Sequence, residues 1–409
     1  MMEAREPNVK ITDLKCAVIG RNPIVRIVTD EGLSGFGAVE TFKAYLKPFV
    51  LTLREALVGE DPTSVERVMQ KIRPRGAFKP WGSAVSAIEM ALWDLAGKAA
   101  GLPVHRLLGG KVRDRVRIYN GSLRTPMQAH TPEAYAEDCR RMMALPEGFT
   151  LVKQGVAFHS PMRREIPGFH YGENVDSVAT SWHGWLDRGL LTERGLAHTV
   201  ECVAAMKEVL GDKVGLALDC GPGWTVPDAI RFARAVERYN LTWLEDMITG
   251  DYTPFVNADV YREVTVATST PTHTGEQIYL RQNFKELIER KAVRIVGPDP
   301  GDVGGIAELK WIAEYADLHG VLMAPHGTGN GLLGLAALVQ VCATMPPNFI
   351  AFEYPSANPA WWRDIVDGLP DPIATDGFVA VGDRPGMGVD LVPERAQRYL
   401  AEEDEAFFA

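Results

Sequence analysis

Cysteine is scarce in this chain. The 409 residues hold five, Cys16, Cys139, Cys202, Cys220 and Cys342, odd in number and scattered without any two-residue spacing. That pattern excludes a disulfide framework and a cysteine-built zinc site, and it fits a reduced, cytoplasmic compartment. Basic charge is also short, with 43 Lys+Arg against 53 Asp+Glu and a formal net charge of −10. With no basic domain to neutralise phosphates, nucleic acid is not an expected partner. The alternation Arg113, Arg115, Arg117 reads as a solvated strand face. Long apolar runs are missing too: none approaches the ~18 residues that span a bilayer. The opening Met-Met-Glu-Ala-Arg-Glu-Pro carries no signal-peptide core, so no membrane partner is expected. The most apolar stretch, 332–341, is interrupted by Gly334 and reads as a buried helix. At 46% hydrophobic and 23% charged residues, disorder is excluded as the main state.

The organisation changes once along the chain. Residues 10–40 read as a small antiparallel sheet, with 24–28 and 33–39 joined through Asp30-Glu31-Gly32. Ala84, Ile88, Ala91, Leu92, Leu95 and Ala99 then recur at three- and four-residue steps, the signature of a helix. Ser83 reads as its N-cap, and Gly101 with Pro103 as its stop. Residues 1–112 are expected to form an α+β capping domain. Beyond them, eight short apolar or β-branched runs recur at 116–120, 150–155, 214–220, 242–246, 270–276, 293–299, 321–326 and 349–354. From the third run their centres lie roughly 23 to 29 residues apart, the length of a strand, a helix and two loops. The expectation is an α/β fold, a modified (β/α)8 barrel over 113–374. Segment 375–409 is expected to return to the capping domain, through a strand at 378–381 and the Pro385-Gly386-Met387-Gly388 turn. Segment 159–191, rich in Gly, Pro, His and Trp, reads as an inserted loop over the barrel mouth.

Barrel enzymes keep their chemistry at the C-terminal ends of their strands. Those ends are Lys153, Asp219, Glu245, Glu276, Asp299, His326 and Glu353. Any one is uninformative, since strand ends are polar by default; seven around one mouth make a constellation. Closure would bring Asp219, Glu245 and Glu276 together, and three such carboxylates repel one another unless a cation joins them. Hard oxygen ligands suit Mg²⁺ or Mn²⁺ rather than zinc.

Residues 84–98, Ala-Val-Ser-Ala-Ile-Glu-Met-Ala-Leu-Trp-Asp-Leu-Ala-Gly-Lys, followed by Gly101-Leu-Pro-Val and Leu107-Leu-Gly-Gly, resemble a signature of the mandelate racemase/muconate lactonizing group of the enolase superfamily. Leu216-Ala-Leu-Asp219 through Leu244-Glu245-Asp246 resembles its second signature. The resemblance implies that Asp219, Glu245 and Glu276 are metal ligands, Asp299 and His326 a dyad, and Glu353 an acid beside the reacting carboxylate. The implied reaction is removal of the proton α to a small-molecule carboxylate, through an enediolate. His326 is then the base, and Lys153 offers an ammonium to the substrate. Glu353, when protonated by virtue of its burial, donates to the same oxygen.

Two departures from the group narrow the reaction. Racemizing members end strand two in Lys-x-Lys, whereas here it ends Lys153-Gln154-Gly155. Several acid-sugar dehydratases carry histidine two residues after the first ligand, where this chain has Gly221. The expected activity is a Mg²⁺-dependent acid-sugar dehydratase, with His159, His170 and Tyr171 as candidates for the leaving-group acid. A racemase or epimerase with a second base from the loop is the first alternative, and a non-catalytic binding barrel the second. Thr41, Tyr45, Arg75 and Trp81 are candidate specificity residues, and a homo-oligomer is the expected assembly.

Overall fold

The computed structural model describes residues 9–77, 81–121, 127–172, 189–248, 257–327, 329–356 and 359–409. The N-terminal sheet is a meander of β1 (Ile11–Ile19), β2 (Asn22–Thr29) and β3 (Ser34–Ala38). Gly20, at φ +62°, makes the two-residue turn between β1 and β2. The long helix Trp81–Ala100 lies across this sheet. It can approach closely because a Cβ on Gly35 or Gly37 would strike the carbonyl oxygens of Ala91 and Ala87 at 2.1 and 2.0 Å.

Eight parallel strands follow: β4 (Arg115–Asn120), β5 (Leu151–Gly155), β6 (Gly215–Asp219), β7 (Trp243–Glu245), β8 (Thr272–Thr274), β9 (Ile295–Val296), β10 (Leu322–Met323) and β11 (Phe352–Tyr354). Each pairs with the next from β4 to β10, and β11 pairs back with β4. A parallel bridge between Met323 and Phe349 closes the ring. Helices between successive strands start on side-chain caps at Thr131, Thr192, Thr225 and Asn257, each accepting the amide three residues on. Tyr119, Leu151, Ala217, Trp243, Ile295, Ala324 and Ala351 fill the barrel interior. The fold is therefore α/β, as the strand-helix period predicts. Helix Gly331–Cys342 is buried along its whole length, and among the described residues no helix is long and apolar enough to cross a membrane.

The seam between sheet-and-helix unit and barrel is polar and specific. Glu89, fully buried, accepts from the amides of Ile306 (2.8 Å) and Ala307 (3.0 Å) and from Trp93 Nε1 (2.7 Å). It thereby caps the barrel helix Ile306–Leu318, whose first N–H groups lack intrahelical partners. Asp94 accepts from the amides of Phe36 (3.0 Å) and Met387 (2.9 Å) and from Lys98 (2.8 Å).

Two sequence expectations need correction. Ser83 is not a cap: the helix already includes Trp81, and the Ser83 hydroxyl donates to Asp302 across the seam. The strand at Phe378–Ala380 does not join the N-terminal sheet but pairs antiparallel with β4. There the Phe378 ring lies 4.1 and 4.6 Å from the guanidinium carbons of Arg115 and Arg117, so that basic strand face is covered by an aromatic ring. The chain that does return is the segment past residue 385. Gly386 carbonyl accepts from Val104, Asp404 accepts from the Val18 amide, and Arg26 donates to the Phe407 carbonyl.

Candidate active site

Each strand-end residue named from the sequence lies at the mouth, and most are directly linked. Lys153, almost inaccessible to solvent, sets its Nζ 2.6 Å from Glu245 Oε1 and 3.3 Å from both Asp219 Oδ2 and Glu353 Oε2. Burial opposes its charge, but these three carboxylates outweigh it and hold the ammonium well above the ordinary lysine range. On the far side, His326 Nδ1 donates to Asp299 Oδ2 at 2.7 Å. Asp299 is fixed in turn by the Gly301 amide (2.6 Å) and Asn330 Nδ2 (2.8 Å) on its other oxygen. With Nδ1 committed, His326 directs Nε2 at the carboxylates, 3.6 Å from both Glu276 Oε2 and Glu353 Oε2. Burial depresses that imidazole, yet Glu276, Glu353 and Asp299 together lift it well above the usual histidine value.

The barrel filling supports the acids from below. Trp243 Nε1 donates to Glu245 Oε2 at 2.8 Å, and Tyr119 OH to Glu353 Oε2 at 3.3 Å. His273 stacks on Trp243 with ring centroids 5.2 Å apart, donates through Nε2 to the Ala324 carbonyl, and sets Nδ1 3.3 Å from Glu245. None of these three was singled out in the sequence, because apolar strands hide their polar tips; only a count of aromatic N–H and O–H groups facing the barrel interior finds them.

A further acid was passed over. Asp246 follows Glu245 and ought to point away from it in an extended strand. Its φ of +52° turns the backbone, and Thr274 Oγ1 holds its carboxylate at 2.5 Å. Glu245, Asp246 and Glu276 then present oxygens all within 4.8 Å of one another. Asp219 joins this group through Lys153 and lies 3.1 Å from His159 Nδ1. The donors fit a hard divalent cation. Burial first, and repulsion from the neighbouring carboxylates after it, raise the carboxyls of Glu245 and Asp246, the response of crowded buried acids.

Of the remaining candidates, His170 is buried against Phe158 and Phe169, and Tyr171 is exposed. Residues 173–188 of the expected loop lie outside the described residues. Thr41 Oγ1 donates to the Gly329 carbonyl at 2.9 Å, next to the glycine-rich turn after His326. Tyr45 lines a cavity of about 250 Å³ with Lys43, Ser83, Gln277, Tyr279 and Asp302. Arg75 is exposed on a 3-10 turn, and Trp81 stacks on Phe49.

Comparison with known proteins agrees with this geometry. Residues 8–109 match the family described as mandelate racemase / muconate lactonizing enzyme, N-terminal domain, and residues 134–395 match the enolase C-terminal domain-like family. The chain belongs to the mandelate racemase/muconate lactonizing group of the enolase superfamily. Among curated members it is 32% identical to a D-xylonate dehydratase of Haloferax volcanii, covering 97% of this chain and 90% of that protein. It is 31% identical to a D-galactonate dehydratase family member of Halomonas elongata, covering 93% and 92%. Among solved structures, a mandelate racemase/muconate lactonizing enzyme-like protein of Rubrobacter xylanophilus superposes with a TM-score of 0.82 at 32% identity, covering 97% and 98%. A mandelate racemase/muconate lactonizing enzyme of Jannaschia sp. gives 0.77 at 28% identity, covering 96% and 98%. The chain's mouth holds a lysine, a His–Asp pair and a crowded set of acids, with Gly155 closing β5 and Gly221 two residues past the end of β6.

Proposed function

We propose that this protein is a Mg²⁺-dependent acid-sugar dehydratase that removes water from an aldonate or aldarate and yields a 2-keto-3-deoxy acid. The observation that carries the reading is the His326–Asp299 dyad turned on the acid cradle. His326, backed by Asp299, turns Nε2 toward the acid-lined cradle at 3.6 Å from Glu276 and Glu353, and Lys153 stands on that cradle's other side. The names of the curated relatives, a D-xylonate dehydratase and a D-galactonate dehydratase family member, support the same substrate class.

In this reading the Lys153 ammonium faces the substrate carboxylate. His326 Nε2 takes the α-proton, while Asp299 keeps Nδ1 protonated and steadies the imidazolium that results. Glu353, held by Tyr119 and Lys153, lies beside the carboxylate oxygen that gains charge. Glu245, Glu276 and Asp246, whose oxygens converge, together with Asp219, joined to them through Lys153, would hold the divalent cation, which would supply charge stabilisation to the enediolate. The C3–O bond then breaks, and the departing oxygen leaves as water once protonated. Lys43, Tyr45, Ser83, Gln277 and Asp302, which line the neighbouring cavity, offer polar groups to the hydroxylated remainder of the chain.

The test is a screen of aldonates and aldarates with Mg²⁺, assayed for α-keto acid. Formation of keto acid from one configuration is expected. Steady accumulation of the α-epimer without keto acid would replace this reading with the racemase alternative.

A further inference from the structure

Gly155 ends β5, and Gly221 follows Asp219 by two residues. Both glycines open onto one side chain. A Cβ on Gly155 would lie 2.9 Å from His159 Cδ2 and 3.2 Å from its carbonyl oxygen. A Cβ on Gly221 would lie 2.8 Å from His159 Cβ and 2.9 Å from its amide nitrogen. With His159 in place, neither position has room for the lysine or the histidine of other group members. His159 fills the space beside both, with its ring against Gly155 and its Cβ and backbone against Gly221.

The placement of His159 is built, not incidental. The 3-10 turn Ala157–His159 begins one residue after Val156, at the end of β5. The His159 amide donates to the carbonyls of Val156 (3.0 Å) and Cys220 (3.1 Å), tying the turn to both strands. The Val156 amide donates to the Asp219 carbonyl at 2.8 Å, and His159 Nδ1 lies 3.1 Å from Asp219 Oδ1. About a quarter of the side chain stays accessible, 27%, so the ring reaches the mouth. His159 thus sits over β5 and β6, whereas His326 follows β10. In a ring of eight, β6 and β10 stand four strands apart, on opposite sides. The two imidazoles therefore come to the acid cradle from opposite sides of the ring. His170, packed on two phenylalanines, and Tyr171, at 71% exposure, share none of this.

Building on the dehydratase reading, we propose that His159 is a catalytic residue that donates the proton to the leaving β-hydroxyl, so that elimination is anti. His326 takes the α-proton from one face, and the C–H electron pair passes into the enediolate. As the C2–C3 double bond forms, the C3–O bond breaks with its electrons on oxygen. That oxygen takes a proton from His159 on the other face and departs as water. The enol then gains a proton at C3 and gives up its C2 hydroxyl proton to become the keto acid, and each histidine is reset by proton exchange with solvent.

The experiment compares wild type with His159→Asn on the sugar acid identified above. Keto acid formation should fall by about 10²–10⁴-fold, the span of a lost general acid. Exchange of the α-proton with deuterated solvent, which needs only His326, should continue. Mg²⁺ affinity by calorimetry and the melting temperature should stay at wild-type values. A 3-deoxy-3-fluoro analogue, whose fluoride departs without a proton, should lose far less rate than the natural substrate. The proposal is overturned if keto acid formation stays near wild type, or if exchange and dehydration fall together. It is also overturned if Mg²⁺ affinity drops, because His159 would then be a brace for Asp219. A wild type that makes no keto acid from any sugar acid brings down the dehydratase reading itself, before any variant is compared.

Discussion

Glu89 and Asp94 at the seam are as deeply buried as Glu245 and Asp246 at the mouth, but the two pairs are satisfied differently. The seam acids receive backbone amides from Ile306, Ala307, Phe36 and Met387, plus Trp93 and Lys98. Each therefore has about as many donors as its oxygens can use, and needs nothing from outside. The mouth acids instead share side-chain donors. Lys153 serves Asp219, Glu245 and Glu353 together, Trp243 and Tyr119 add a donor each to Glu245 and Glu353, and the Thr274 hydroxyl serves Asp246. Buried carboxylates left short of positive charge are costly, so a fold keeps such a set only where a ligand completes it. The kind of donor, backbone amides at the seam and side chains at the mouth, thus separates acids that join domains from acids that await a cation, although both kinds stand in the motifs by which the family is recognised.

That contrast can be broken at either region. Chelation of divalent metal, or Glu245→Ala, should abolish keto acid formation while the fold persists. Added Mg²⁺ should raise the melting temperature of wild type by mass action on the native state, but not that of Glu245→Ala. A Glu245→Ala protein with normal calorimetric Mg²⁺ binding would remove that acid from the cradle. His326→Asn should cost at least about 10³-fold in turnover and should also stop α-proton exchange. Retained exchange in that variant would transfer the base role elsewhere. Lys153→Ala should lose about 2–4 kcal/mol of transition-state stabilisation, or roughly 30- to 10³-fold in kcat/KM.

At the seam the expected effect is on stability rather than on rate. Glu89→Ala strands the amides of Ile306 and Ala307 and the Trp93 indole, which should lower unfolding free energy by about 1–3 kcal/mol. The kcat of the folded fraction should stay near wild type. A large loss of kcat at unchanged melting temperature would erase the distinction between the two acid sets. The smallest effect is expected from Tyr171→Phe and Arg75→Ala, exposed side chains whose replacement should change kcat/KM and stability little, within about 0.5 kcal/mol.

Much of the barrel was readable from residue order, since runs of five to seven apolar or β-branched residues with polar ends are a local pattern. Asp219, Glu245 and Glu353 fall at or inside strand ends, and Glu276, Asp299 and His326 two or three residues beyond. The misread parts are those where local pattern and long-range partner disagree. Phe378–Ala380 has the pattern of a strand, but its partner is chosen by Arg115 and Arg117, more than 260 residues earlier. Ser83 has the chemistry of a cap, but Asp302 claims its hydroxyl.

By itself, the sequence determined the barrel, its family and the acidic character of the mouth, because periodicity, strand ends and motif spacing are properties of neighbours along the chain. Which side chains meet across the mouth was decided only by tertiary structure. Asp246 turns inward through one positive φ, and His273 and Trp243 reach Glu245 through the closed barrel. Gly155 and Gly221, 66 residues apart in sequence, read as two losses until folding sets His159 between them. The physical reason is excluded volume: a missing side chain is a statement about space, and space is shared by residues that only the closed ring brings together.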